Sequence, residues 1–156
     1  MARSRSTGNL GPLARQVRRA TLAALLALST AACSDDPTGL TAIVGVYTLI
    51  DVDDDPLPAR TDSAVTHVTR VRAGTLSIDP DGSYAMTVEW ELVPVGLSPV
   101  PGSHSEVGTV TIIGESQVRF EGDFATWTGI FEGDAMRVAV LLPEVSDTAV
   151  ELRFRR

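Results

Sequence analysis

The stretch Thr75-Leu76-Ser77-Ile78-Asp79-Pro80-Asp81-Gly82-Ser83-Tyr84-Ala85-Met86-Thr87-Val88-Glu89-Trp90-Glu91-Leu92 decides the fold class. After Ser83 the apolar residues Tyr84, Met86, Val88, Trp90 and Leu92 alternate with Ala85, Thr87, Glu89 and Glu91. Period two sends alternate side chains to opposite faces of a strand, one apolar and one wet. Before the turn, Leu76 and Ile78 alternate with Thr75 and Ser77. Asp79-Pro80-Asp81-Gly82 is a tight-turn signature, in which Pro fixes φ and Gly accepts a positive one. The stretch therefore predicts a β-hairpin.

The same pattern extends outward in both directions. Strands are predicted over residues 43–50, 65–71 running on into Leu76, 107–113, 117–121, 124–131, 135–142 and 148–155, which with the second hairpin arm makes eight. Gly114-Glu115-Ser116, Gly122-Asp123, Glu132-Gly133-Asp134 and residues 143–147 are too short for parallel crossovers, so neighbours pair antiparallel. Residues 94–105, with Pro94, Pro99 and Pro101, predict an exposed loop or rim lid. An open eight-stranded meander leaves two unpaired edges, which closure removes. The expected fold is all-β: an eight-stranded antiparallel up-and-down meander closing into a barrel.

The chain has 156 residues, room for one ordinary domain with a complete core. Its charge is divided sharply. All 13 basic residues are Arg, and five of them (Arg3, Arg5, Arg15, Arg18, Arg19) precede residue 32, where no acidic residue occurs. From Cys33 onward eight Arg face 20 acidic residues, a formal charge of −12. Such a body repels polyanions, so nucleic acid is not an expected partner.

Residues 1–32 read as a helical signal peptide: a basic segment through Arg19, then an apolar, charge-free run from Ala20 to Ala32. Thirteen residues at about 1.5 Å each give roughly 20 Å of helix, short of the roughly 30 Å hydrocarbon core. The end of the run, Leu28-Ser29-Thr30-Ala31-Ala32-Cys33, resembles the lipobox of bacterial lipoproteins, with Thr30 where Leu is usual. That resemblance implies cleavage between Ala32 and Cys33, lipid (palmitate-type acyl chains) on Cys33, and anchoring to a membrane. Cys33 is the sole cysteine, so it forms no disulfide within the chain. Two or more acyl chains anchor a protein stably. The alternative is an ordinary secreted protein cleaved near Ala32 with Cys33 free. Arg18-Arg19 also resembles part of a twin-arginine export signal; general secretion is the preferred route. Ser34 after the lipidated position implies the outer membrane, facing the periplasm, over the inner membrane. Residues 33–42 read as a flexible tether and 43–156 as the barrel domain.

Over roughly residues 43–155 the chain resembles the lipocalin-like small barrels of bacterial lipoproteins. Gly45-Val46-Tyr47 is similar to that family's G-x-W with Tyr in place of Trp. The resemblance implies that Arg153 or Arg155 packs on the Tyr47 ring and closes the barrel bottom by a cation-π contact. The alternative is that Tyr47 is a core aromatic and both Arg are solvated.

Chemistry-bearing groups are sparse. Asp51, Asp53, Asp54 and Asp55 are dense enough for a hard cation, but the Gly and Glu of a familiar Ca²⁺ loop are missing, and a solvated turn is the expected reading. His67 and His104 have no Cys partners and read as lumen- or rim-facing, so no metal is implied. Neither Gly96-Leu97-Ser98 nor Gly114-Glu115-Ser116 completes a nucleophile elbow, and glycine-rich phosphate loops are missing, so no cofactor is implied. Glu89 and Glu91 alternate with Trp90 and face outward. No catalytic motif supports an enzyme. The expectation is a lipid-anchored cell-envelope protein that binds a small apolar or amphiphilic ligand among Tyr84, Met86, Val88 and Trp90. The alternative is a structural or protein-interaction module with a filled barrel and a partner the sequence does not name.

Overall fold

The computed structural model describes residues 39–156; the expected signal peptide and the Ala32–Cys33 cleavage and lipidation site lie outside them. Ten strands form: β1 (Gly45–Val52), β2 (Asp55–Pro56), β3 (Ala59–Ser63), β4 (His67–Ile78), β5 (Ser83–Pro94), β6 (Val100–Ile112), β7 (Gln117–Gly122), β8 (Thr126–Glu132), β9 (Ala135–Val140) and β10 (Val150–Arg155). β1 pairs antiparallel with β10 on one side and with β4 on the other, while β4 through β10 pair in sequence. β1 and β4–β10 are therefore a closed eight-stranded antiparallel barrel. β2 and β3 are short additions to the upper ends of β1 and β4.

The quoted hairpin is β4–β5, with Ile78 opposite Tyr84 and Leu76 opposite Met86. Gly82 supplies the positive φ of 83° at its turn, and Asp81 accepts hydrogen bonds from the Ser83 amide and hydroxyl. Those bonds to an exposed carboxylate hold the Asp81 pKa below its ordinary value. The acidic cluster is a turn: Asp53 and Asp54 both have positive φ and form the two-residue link between Val52 and Asp55, the backbone of a primed hairpin turn. Its carboxylates point to separate partners, Asp51 to Arg153 at 3.3 Å and Asp53 to the Glu151 amide at 2.8 Å.

Simple alternation holds on most strands but breaks at two bulges. On β1 the buried set runs Tyr47, Leu49, then Val52, with an irregularity between Leu49 and Asp51. On β4 it runs Thr69, Val71, then Gly74, Leu76 and Ile78, with the irregularity between Val71 and Ala73. An extra residue changes which parity faces inward and adds local twist. The interior is filled by side chains, among them Tyr47, Phe120, Phe154, Met86, Met136 and Leu152, each 0–1% exposed.

The segment expected to be a loop over 94–105 is mostly strand. β5 runs to Pro94, β6 starts at Val100, and only 95–99 turn between them. Pro101 stands opposite Glu91. Upper β6 tolerates it because β7 pairs β6 only over Gly108–Ile112, so this half of β6 is an edge.

Both barrel ends are covered. At the lower end Leu40–Ala42, placed in the tether by the sequence reading, form a 3-10 turn, Leu40 packs on the core and Ile43 is fully buried. The Tyr47 hydroxyl donates to the Ile43 carbonyl at 2.8 Å. The cation over the Tyr47 ring is Arg156, its guanidinium carbon 5.6 Å from the centroid, and Arg156 also donates to the Val44 carbonyl at 2.8 Å. This corrects the expected Tyr47–Arg153 pair. Leu152 and Phe154 occupy the inward parity of β10, so Arg153 and Arg155 point outward, to Asp51 and Asp134. Among the described Arg residues only Arg156, past the strand's end, turns beneath the barrel. At the upper end the β9–β10 connection folds inward, burying Leu142 and Val145, and Thr61 on β3 donates to the Val145 carbonyl at 3.1 Å.

Removing the lower clasp tests this assignment. Arg156→Ala is expected to lower stability by about 1–2 kcal/mol through the lost cation-π contact and charged hydrogen bond, whereas Arg155→Ala, which breaks only an exposed ion pair, stays within about 0.5 kcal/mol of the parent. Urea unfolding followed by tryptophan fluorescence distinguishes them; equal midpoints for the two variants would contradict the clasp.

Candidate functional site

The strands differ in height. β4, β5 and β6 have 12, 12 and 13 residues, but β7, β8 and β9 have six, seven and six. β6 loses its β7 partner above Gly108, and a cleft of about 360 Å³ opens there. Ser103–Glu106 form one wall, and the connections carrying Phe124, Ala125, Leu141, Pro143 and Glu144 form the other. Inward parity on β6 is set by buried Val110, which gives Gly108, Glu106 and His104 in steps of two. His104 lies opposite Val88, and its Nδ1 reaches across the cleft to Glu144 Oε2 at 3.3 Å.

Glu106 is the unusual residue. It is 3% exposed and is the one charged residue among the buried described residues, whose other polar members are Thr69 and Ser146. Oε2 accepts a hydrogen bond from Trp127 Nε1 at 3.2 Å, while Oε1 has no partner. The Tyr84 hydroxyl is equally buried and also makes no hydrogen bond of ordinary geometry. Buried polar groups in native proteins nearly always have a partner, and an unsatisfied one costs about 1–3 kcal/mol. Two adjacent exceptions beside an open cleft mark a site.

Aromatic packing holds the cluster in place. Phe120 on β7 and Trp127 on β8 are cross-strand partners and stack with centroids 3.9 Å apart. Tyr84 meets both rings edge-on, at 5.0 and 5.4 Å. Gly122 makes room: a Cβ there would lie 1.9 Å from Glu106 Oε1 and 2.5 Å from the Tyr84 hydroxyl. Burial first, and then the negative charge of Glu106, push the Tyr84 phenol well above the ordinary tyrosine range. Burial also raises Tyr47, with Arg156 opposing. Tyr84 is thus a neutral hydrogen-bond donor at physiological pH.

Of the sequence-derived ligand-lining set, Tyr84, Met86 and Val88 face inward at 3, 1 and 0% exposure and pack within the core, Met86 opposite Glu106 and Val88 opposite His104. Trp90 is partly buried over Gly102, lacks a partner for its Nε1, and lines a separate cleft with Arg72 and Glu89. His67 approaches Asp62 at 3.5 Å on the far side of the rim. Ser105, beside His104 in sequence, faces outward against Thr87 at 3.4 Å, so alternation separates this hydroxyl from the His104–Glu144 pair.

Glu106, Phe120 and Trp127 were not identified from sequence. Starting the strand at Val107 concealed Glu106; counting back by two from Ile112 and Val110 would have shown that Glu106 and His104 share the core face.

Fold and site together define a small, filled β-barrel with a polar cluster behind a lateral cleft. No family model, curated protein or solved structure matches the chain.

Two outcomes test the geometry. Gly122→Ala is expected to cost about 1–3 kcal/mol by overpacking, and much less in a Glu106→Ala background, where the nearest colliding atom is gone; a double-mutant cycle in urea reads the coupling, and a coupling of zero contradicts the contact. For pH, the folded protein keeps both phenolic protons where the unfolded chain loses them, above about pH 10. Folded stability should therefore fall as pH rises past that point. Absorbance at 295 nm should show the native phenols titrating later than those in guanidinium, and Tyr84→Phe should flatten the alkaline stability loss. A native midpoint near 10 for both phenols contradicts the burial.

Proposed function

We propose that this chain is a lipid-anchored protein of the bacterial cell envelope, a lipocalin-like barrel that binds a small amphiphilic ligand in its lateral cleft and not along its axis. The sequence of residues 20–33 supports the anchor, since an apolar run ending in Ala-Ala-Cys carries the lipobox resemblance. Outer-membrane attachment facing the periplasm belongs to the same reading, on the residue after Cys33. The observation that carries the binding role is the pair of unpartnered buried atoms, Glu106 Oε1 and the Tyr84 hydroxyl, beside a cleft with exposed Phe124 and Leu141 on its wall. Ligand sites pair apolar walls with a few convergent polar groups at volumes of about 300–1,000 Å³. A filled barrel serving only as a protein-interaction module is the second reading. It is favoured by the packed interior and by Val95, Leu97 and Val100, 73, 71 and 53% exposed at the β5–β6 tip.

The two parts are tested separately in the cell of origin or an expressing bacterium. Palmitate labelling should mark the protein, and Cys33→Ala should abolish both label and membrane attachment; an unlabelled parent protein ends the anchored reading. Native mass spectrometry of the extracted protein should show a retained small molecule, lost in Phe124→Ser. A bare barrel together with efficient crosslinking through the β5–β6 tip favours the second reading.

A further inference from the structure

We propose that the lateral cleft selects ligands bearing a protonated amine, with Glu106 as the acceptor. This inference rests on the binding role proposed above and adds the chemical class of the ligand. The groups around the cleft are of one sign. Glu106 and Glu144 belong to its wall, Asp123 adjoins the wall residue Phe124 and is close enough to act on the Tyr84 phenol, and none of the described Arg residues lines it. The only cationic candidate among the lining residues is His104, which is already engaged by Glu144 at 3.3 Å. An anionic head group would meet carboxylates with no guanidinium to receive it. An ammonium meets an unfilled acceptor.

The donor and acceptor inventory points the same way. Glu106 Oε2 is occupied by the Trp127 indole N–H, and Oε1 has only the Tyr84 hydroxyl beside it, with no hydrogen bond of ordinary geometry, on a residue 97% removed from solvent. Glu106 is itself one of the residues that line the cleft. Charge-assisted N–H to carboxylate bonds are about twice as strong as neutral ones. A metal ion fits less well: among the described residues no group of three or more His, Cys, Asp or Glu side chains is placed to hold one. Phe124, 80% exposed, and Leu141, 52% exposed, offer apolar surface to a short hydrocarbon tail.

The test uses three eight-carbon probes, octylamine, octanol and octanoate, each titrated below its aggregation concentration into the protein by isothermal calorimetry at pH 7. The expected order is octylamine at least tenfold tighter than octanol, with octanoate weakest. Raising the salt should weaken the amine and leave the alcohol unmoved. In Glu106→Gln, checked for an intact thermal transition, the advantage of amine over alcohol should disappear, and in Phe124→Ser all three probes should weaken together. Equal binding of amine and alcohol to the parent protein overturns the amine selectivity while leaving a ligand-binding cleft. No binding of any probe removes the binding role and the selectivity with it. Amine selectivity that survives Glu106→Gln overturns the assignment of Glu106.

Discussion

Backbone pairing along β6 is the constraint on which the rest of the site depends. A strand of 13 residues beside one of six cannot be satisfied along its whole length, and β7 ends at Gly122, opposite Gly108. Above that point β6 has β5 on one side and open space on the other. The chain leaves this gap as a cleft between the tall wall of β4–β6 and the connections that follow β7 and β9. Closing the sheet through β1 removes the edges that a meander would otherwise present. Upper β6, like the outer sides of the short β2 and β3, is a stretch of edge that closure does not remove, and Pro101 within it blunts strand addition by lacking an N–H.

Filling and capping determine where a ligand can go. An eight-stranded barrel has an interior just wide enough for side chains or one small ligand. Here Phe120, Trp127, Met86, Met136 and Phe154 occupy it. Leu40 and Ile43 close the lower end, and Leu142 with Val145 covers the upper end. The axis is therefore taken, and access falls to the side where the wall is short. Tyr84 links the two regions, since its ring packs against Phe120 and Trp127 in the core while its hydroxyl reaches the Glu106 cluster.

Local pattern carried most of the fold. The hairpin around Asp79–Gly82, the eight barrel strands and their antiparallel order follow from period-two alternation and short turns, and the antiparallel barrel is what the structure shows. Features set by distant pairing were not legible. The strand over Val100–Ser105 carries Pro101, Gly102 and Ser103, a loop composition by local propensity, yet β5 supplies a complete pairing partner for it. The cation beneath Tyr47 is Arg156: regular alternation on β10 turns Arg153 and Arg155 outward, and the residue past the strand's end reaches the ring. The Glu106 site depends on four strands meeting, β5 to β8, with a glycine on β7 opening the space.

Glu106 itself breaks the consistency that folding favours. Every inward neighbour along β6 is small, apolar or already paired: Gly108 and Val110 on one side, His104 with its Glu144 on the other. A carboxylate among stacked aromatic rings, with one oxygen unmet, weakens the barrel, and replacing it with a residue of similar shape and no charge would relieve that cost. Sites where local rules fail in an otherwise consistent fold are where function is expected. The surrounding arrangement has the form of preorganisation. Trp127 holds one oxygen, the Phe120 stack fixes Trp127, Gly122 leaves no side chain in the way, and the missing β7 extension opens the path from solvent. A partner that donates a hydrogen bond to Oε1 would supply the contact that the folded chain leaves unmade.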